Sequence, residues 1–117
     1  MREQRESMDW DDFADRAQEE LELQRSLEAL AHPIRRFVIG LLQVGGAYAG
    51  DLAASVSANF GISAARASQH LSVLARARLV SVVPEGNMRY YSLAEGSAER
   101  LADWLSATAL SARAADR

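Results

Sequence analysis

Two adjoining stretches of this chain place side chains at spacings suited to contact with a polar, negatively charged surface. In residues 63–78, helical periodicity gathers Ala65, Gln69, Ser72 and Arg76 on one side, with Arg66 and Ser68 flanking them. Ala67, Leu71 and Leu74 fall on the opposite side. A face made only for solvent would favour Glu and Lys for their helix propensity. This one is small and polar, so another molecule can approach it closely. Residues 79–93 follow and read as two short strands around a turn at Glu85-Gly86-Asn87, with Pro84 marking a strand end. Arg89 lies just past the tip and shares a face with Tyr91, while Met88 and Tyr90 take the other.

The chemistry open to these residues is the reading of base edges and phosphates. A glutamine such as Gln69 can pair with an adenine edge through two hydrogen bonds. An arginine such as Arg66 can take guanine or a phosphate, and the Ala65 methyl can pack on thymine. Ser63 suits an N-cap, and the helix end behind it offers free N–H groups and a positive dipole to phosphate. An arginine at a hairpin tip can reach a narrow minor groove or the phosphates beside it. A helix pair over 51–61 and 63–77, followed by such a hairpin, is the order of a winged helix-turn-helix. Each part has a plainer reading. Two helices meeting at a short turn are common, and an edge-strand arginine can serve solubility alone. His70 sits nearer the buried edge of its helix than the polar face, which suits packing or backbone contact before base reading.

Charge supports the sharper reading. The chain carries −3 overall, and all of its basic residues are arginine, so any phosphate contact from a basic side chain must come from arginine. The charge is unevenly spread: residues 1–28 are strongly acidic, residues 29–93 hold six arginines against Asp51 and Glu85, and residues 94–117 are nearly balanced. A basic middle between acidic ends fits a nucleic-acid contact. The length of 117 residues bounds the chain to one domain, or one domain and an arm, and 49% hydrophobic residues suffice for a core.

Other chemistries find little support. Without cysteine there is no disulfide, thiolate metal site, cysteine nucleophile or thiol sensor. The only histidines are His32 and His70, and the carboxylate pair Glu99 and Asp103 has no histidine beside it, which disfavours a transition-metal site. No nucleophile–base pair and no phosphate-binding Gly-rich loop is present, so the chain is not expected to be an enzyme or to need a cofactor. His32, before Pro33, reads as a helix-start residue. Nothing resembles a signal peptide and no apolar run reaches membrane length, so a cytoplasmic location without membrane contact is expected.

The elements that must hold these residues can be drawn in outline. Residues 1–8 are expected to fray. From Asp9 a long helix carries Trp10, Phe13, Ala17 and Leu21 on one stripe and Leu23, Leu27 and Leu30 on another. Two stripes suit either two packing partners, one of them a second subunit, or one broad core face. Pro33 starts a helix with Ile34, Phe37, Val38, Leu41 and Leu42 inward, ending at Gly45-Gly46. An extended piece over 47–49 precedes a helix from near Asp51 with Leu52, Val56 and Phe60 inward. A last helix from about Ser97 carries Leu101, Trp104, Leu105 and Thr108 on one stripe, and the tail from Ser111 is expected to fray.

With these residues in view, the chain resembles the ArsR family of bacterial winged-helix repressors. The resemblance rests on Ala-Leu-Ala-His-Pro-Ile-Arg-Arg (29–36), Ile-Ser-Ala-Ala-Arg-Ala-Ser-Gln-His-Leu-Ser-Val-Leu (62–74), Leu-Val (79–80) and Glu-Gly-Asn-Met-Arg-Tyr-Tyr-Ser-Leu (85–93). It covers about residues 27–93. It implies a homodimer built through the first and last helices, double-stranded operator DNA as partner, repression by promoter occlusion, and release by an inducer. It assigns Ser63, Arg66, Ser68, Gln69 and His70 to a recognition helix and Arg89 to the wing. The full expected DNA-binding set adds Ala65, Ser72, Arg76 and Asn87, and the expected dimer interface is Trp10, Phe13, Ala17, Leu21, Leu101, Trp104 and Leu105.

The expected fold is therefore mainly α with a small β-hairpin wing. Residues 9–112 form a single winged-helix domain: 9–31 and 97–112 as dimerisation helices, 51–78 as helix-turn-helix, 79–93 as wing, and 113–117 as tail. The chain departs from the family in three respects. The helix before residue 61 reads about a turn longer, a feature of a branch lacking metal sites. Asn87 stands where a second basic wing residue is common, and the metal-sensing cysteines and histidine clusters are missing. An unidentified small-molecule inducer, not a thiophilic metal, is left open as a partner. The alternative function is a winged-helix protein-interaction module without DNA binding.

Overall fold

A computed structural model describes residues 2–115, with side chains described from residue 9 onward. Five helices and three short strands follow one another: α1 (Arg2–Leu30), α2 (Pro33–Val44), β1 (Ala47–Tyr48), α3 (Ala49–Phe60), α4 (Ala64–Arg76), β2 (Val80–Glu85), β3 (Met88–Leu93) and α5 (Ser97–Ala115). The protein is a mostly helical winged helix-turn-helix. Its first helix starts at Arg2, not at Asp9, and its last continues to Ala115; residues 116–117 of the expected tail lie outside the described residues.

The core sits where α2, α3 and α4 meet the sheet. Ile34, Val38 and Leu42 of α2, Leu52, Ala53 and Val56 of α3, and Ala67, Leu71 and Leu74 of α4 are all buried. They share one cluster with Leu79, Val80 and Tyr91 from the strand side. Full burial of each Leu or Val contributes about 1.5–3 kcal/mol, so these three faces dominate the stability of the domain. Phe60 is less inward than expected: it remains partly exposed and meets Phe37 edge to face, at 5.2 Å between ring centroids.

Local signals explain how α2, α3 and α4 begin and end. His32 caps α2, its Nδ1 accepting from the Ile34 N–H at 3.3 Å, and Pro33 takes the first helical turn. α3 starts at Ala49, two residues before Asp51, and closes on Gly61 at φ +65°, whose N–H bonds the Ser57 carbonyl. Ser63 then caps α4 by accepting from the Arg66 N–H at 3.1 Å. α4 ends in paired bonds from the Leu79 N–H to the Leu74 carbonyl and from the Arg78 N–H to the Ala75 carbonyl. This Schellman closure normally places glycine in the left-handed position, and here Arg78 holds it at φ +59°.

The sheet has one strand more than the hairpin. Its order is β1-β3-β2, all antiparallel, with Tyr48 opposite Tyr90 and Ala47 opposite Tyr91. The two-residue piece 47–48 thus straps β3 to the helical layer. Pro84 does not end its strand. It lies within β2 opposite Arg89, and pairing continues to Glu85 opposite Met88. β2 is an edge strand, where a residue without an N–H is tolerated. Gly86 alone carries a positive φ in the Gly86-Asn87 turn, at +63°.

The long α1 packs differently from its sequence pattern. Among the described residues of α1, those buried within the chain are Ser26 and Ala29, not Leu23, Leu27 and Leu30; Leu27 is exposed. Small residues occupy the seam because α1 must approach its neighbours closely there. α1 also packs on α5, where Glu22 pairs with Arg100 and Leu101 is buried. The radius of gyration is 18.4 Å, against about 13 Å for a compact chain of this length. The excess reflects an elongated shape, 59 × 42 × 22 Å along its principal axes.

Candidate nucleic-acid interface

α4 presents the small, polar face read from the sequence. Ser63, Ala65, Arg66, Ser68, Gln69, Ser72 and Arg76 are all exposed, while Ala67, Leu71 and Leu74 anchor the opposite side in the core. Ala65, Ser68, Gln69 and Ser72 line one shallow groove with Val73 and Arg76. A second groove joins α4 to the hairpin, lined by Ser72, Ala75, Arg76, Val82, Pro84, Arg89 and Tyr91. Arg76 and Ser72 therefore stand between α4 and the hairpin, and Arg89 is brought to the same surface as Gln69. The hairpin is aimed by β3, whose Tyr91 is buried directly under that surface.

Asn87 occupies the exposed turn, and Arg89 is exposed one residue inside β3. The tip is held from its other face. Tyr48 donates from its hydroxyl to Glu85 Oε2 at 2.7 Å and meets Tyr90 edge to face at 5.3 Å. The bond to the Glu85 carboxylate pushes the Tyr48 phenol pKa up. Gly46 is required here, because a β-carbon at that position would overlap the Tyr90 ring.

His70 stands apart from the other residues expected to touch DNA. It is half-buried, its ring lies 4.5 Å from that of His32, and its Nδ1 takes an N–H from Arg35 Nη1 at 3.4 Å. Burial lowers its pKa first, followed by the neighbouring His32, Arg35 and Arg66. Its Nδ1 is therefore engaged within the protein.

Two arginines of the basic middle do work that sequence reading did not anticipate. Arg35 donates from Nε to the Ala29 carbonyl at 2.7 Å and from Nη2 to the Glu28 carbonyl at 3.2 Å. Arg36 donates from Nη1 to the Leu30 carbonyl at 2.7 Å. Both cap carbonyls at the end of α1, where the Glu28 carbonyl also accepts from the Ala31 N–H at 3.3 Å, a C-terminal role suited to cations. The available signal was their position six or seven residues after those carbonyls, just past a Pro-started helix.

The expected interface residues divide. Trp10, Phe13, Ala17 and Leu21 on α1 are exposed, as are Trp104 and Leu105 on α5. Trp10 and Phe13 are 69% and 64% exposed and meet edge to face at 6.1 Å. Leu101 is already buried against its own chain, so it contributes to the seat of α5 and offers little to a partner. Leu110 is 64% exposed on a different face of α5. No helix among the described residues is long and apolar enough to cross a membrane.

No protein-family model matches the chain. The transcriptional repressor SdpR of Bacillus subtilis (strain 168) is 38% identical over 66 residues, which span 56% of this chain and 69% of that protein. A crystal structure of an ArsR family transcriptional regulator superposes with a TM-score of 0.66 at 23% identity, covering 74% of this chain and 86% of its own, a likeness of fold. A possible transcriptional regulator for arsenical resistance superposes with a TM-score of 0.61 at 34% identity, covering 78% of this chain and 94% of its own.

Proposed function

The chain belongs to the ArsR family of transcriptional regulators, and on that premise we propose that it is a homodimeric, cytoplasmic repressor that occludes a promoter by binding a palindromic operator. The observation that carries this reading is the single exposed surface running from Gln69 and Ser68 through Ser72 and Arg76 to Arg89. Gln69, Ala65 and Arg66 read base edges in the major groove, Ser63, Ser68, Ser72 and Arg76 support them, and Arg89 with Asn87 reaches the adjacent backbone or minor groove. Few arginines per subunit can meet phosphate, so two subunits are needed for useful affinity. The apolar residues of α1 and α5 supply the partner surface. An inducer, if the protein has one, is a small molecule that is not a thiophilic metal.

Footprinting on the promoter region beside the protein's own gene tests the reading. A contiguous protected palindrome is expected, with binding that falls steeply as salt rises. Scattered protection, or affinity indifferent to salt, overturns it.

One observation favours the alternative of a protein-interaction module. Arg35 and Arg36 are engaged with α1 carbonyls, which leaves a thinner set of free cations than the charge partition suggests. Charge reversal at Arg66 and Arg89 separates the two readings: operator binding is lost if DNA is the partner and unchanged if it is not.

A further inference from the structure

A further groove adjoins the surface described above at Val73 and Arg76 and extends from α4 to α1 and α2. About 610 Å³ in volume, it is lined by Arg25, Glu28 and Ala29 of α1, Arg35 of α2, and Val73, Arg76 and Ala77 at the end of α4. Three guanidinium groups face one carboxylate, although α1 is otherwise an acidic helix. The Glu28 carboxylate accepts from the Gln24 amide at 2.9 Å and makes no ion pair within 4.0 Å among the described residues.

Arg35 is the fixed point of this groove. Two α1 carbonyls and the His70 ring hold its guanidinium, all neutral acceptors. No carboxylate lies within 4.0 Å of it among the described residues. A half-buried cation with spare N–H donors and no anionic partner is an incomplete arrangement, since charge removed from water is stabilised by an opposite charge. The floor is made of small residues, Ala29 and Ala77, both buried, so a bulky anionic group can approach closely.

Position decides what that group is. Val73 and Arg76 line both this groove and the one containing Gln69, and Arg76 also lines the groove leading to Arg89. The three grooves form one continuous surface. We propose that the Arg25–Arg35–Arg76 groove seats a backbone phosphate of the operator, as a second clamp in addition to the wing. This rests on the DNA-binding reading given above, and it makes α1, the proposed dimerisation helix, a direct contributor to DNA contact through Arg25.

The full-length protein tests this with Arg25→Gln, an exposed position whose change leaves the α1 caps intact. The plot of log affinity against log salt should become shallower by about 2 per dimer, one phosphate per subunit. Affinity should fall by a similar factor on operator and on random duplex, because a phosphate contact carries no sequence information. Arg16→Gln, the same charge change earlier on α1, should leave the slope where it is. An unchanged slope for Arg25→Gln, or an equal drop for Arg16→Gln, overturns the clamp while leaving DNA binding intact. Inorganic phosphate binding at Arg25 with the operator slope unmoved also overturns it and assigns the groove to a small anion. If the wild type shows no salt-dependent binding at all, the DNA-binding reading itself falls.

Discussion

Arg35 donates an N–H to His70 at 3.4 Å, joining the start of α2 to the middle of α4. Arg35 has no acceptor of its own, so the bond needs an unprotonated Nδ1 on His70. The charged groups facing this imidazole are His32, Arg35 and Arg66, all basic, and burial adds to their effect in lowering its pKa. A histidine whose folded pKa lies below the unfolded value near 6.5 binds more protons in the unfolded state between those two values. Its contribution is fully present above the unfolded value and is lost as pH falls from there to the folded value. Denaturant unfolding of wild type and His70→Gln at fixed protein concentration, at about pH 7.5 and about pH 5.5, should show the wild type losing more stability at the lower pH. Equal losses in both proteins would remove His70 from the account.

Gly46 is expected to resist substitution. A β-carbon there meets the Tyr90 ring, whose movement would disturb its edge-to-face contact with Tyr48, itself bonded to Glu85. Gly46→Ala should destabilise the domain by about 1–3 kcal/mol, the usual cost of overpacking. In a Tyr90→Ala background the same change should cost close to nothing, and a thermal-melt double-mutant cycle reads the difference.

The legible parts of this chain were those encoded by near neighbours. The Ala67, Leu71 and Leu74 stripe, the Ser63 cap, the αL closure at Gly61 and the Gly86-Asn87 turn depend on contacts within a few residues, so their chemistry shows in the sequence. What stayed hidden depends on distant partners. Ser26 and Ala29 are buried because another helix crosses close by, which apolar periodicity does not register. The extended piece at 47–48 was legible, but its pairing with β3 was not, because two residues carry no alternating pattern. The anchoring of Arg35 did not show either, because its carbonyl acceptors lie on a different helix. Nor does the sequence mark Arg78 as the residue that holds a left-handed closure usually given to glycine.

The apolar face shared by α1 and α5 predicts the assembly state. Trp104 and Leu105 are about half exposed beside the seat of Leu101, so a charge at Trp104 should spare the fold and disturb a partner. Trp104→Glu should raise the dimer dissociation constant by about 30-fold, corresponding to roughly 2 kcal/mol for an aromatic at the centre of an interface. Sedimentation velocity across a dilution series reads the shift, with circular dichroism confirming that helix content is kept. A variant that stays dimeric at the same concentrations as wild type would place the interface elsewhere.

Gln69 and Arg89 should fail in different ways. Gln69 is exposed on α4 in a groove whose lining includes the small residues Ala65, Ser68 and Ser72, which suits a side chain that inserts between base edges. Gln69→Ala should cost about 1–3 kcal/mol on the operator and little on random duplex, so that discrimination at one base pair is relaxed. Arg89 lies at the hairpin, opposite Pro84, and is proposed to meet the DNA backbone there. With Asn87 at the turn, no second cation shares its task there. Arg89→Ala should therefore weaken operator and random duplex together and reduce the salt slope by about one unit for each phosphate lost. Fluorescence anisotropy on both duplexes at two salt concentrations separates these signatures. Identical profiles for the two variants would mean that α4 and the hairpin do not divide recognition as their geometry implies.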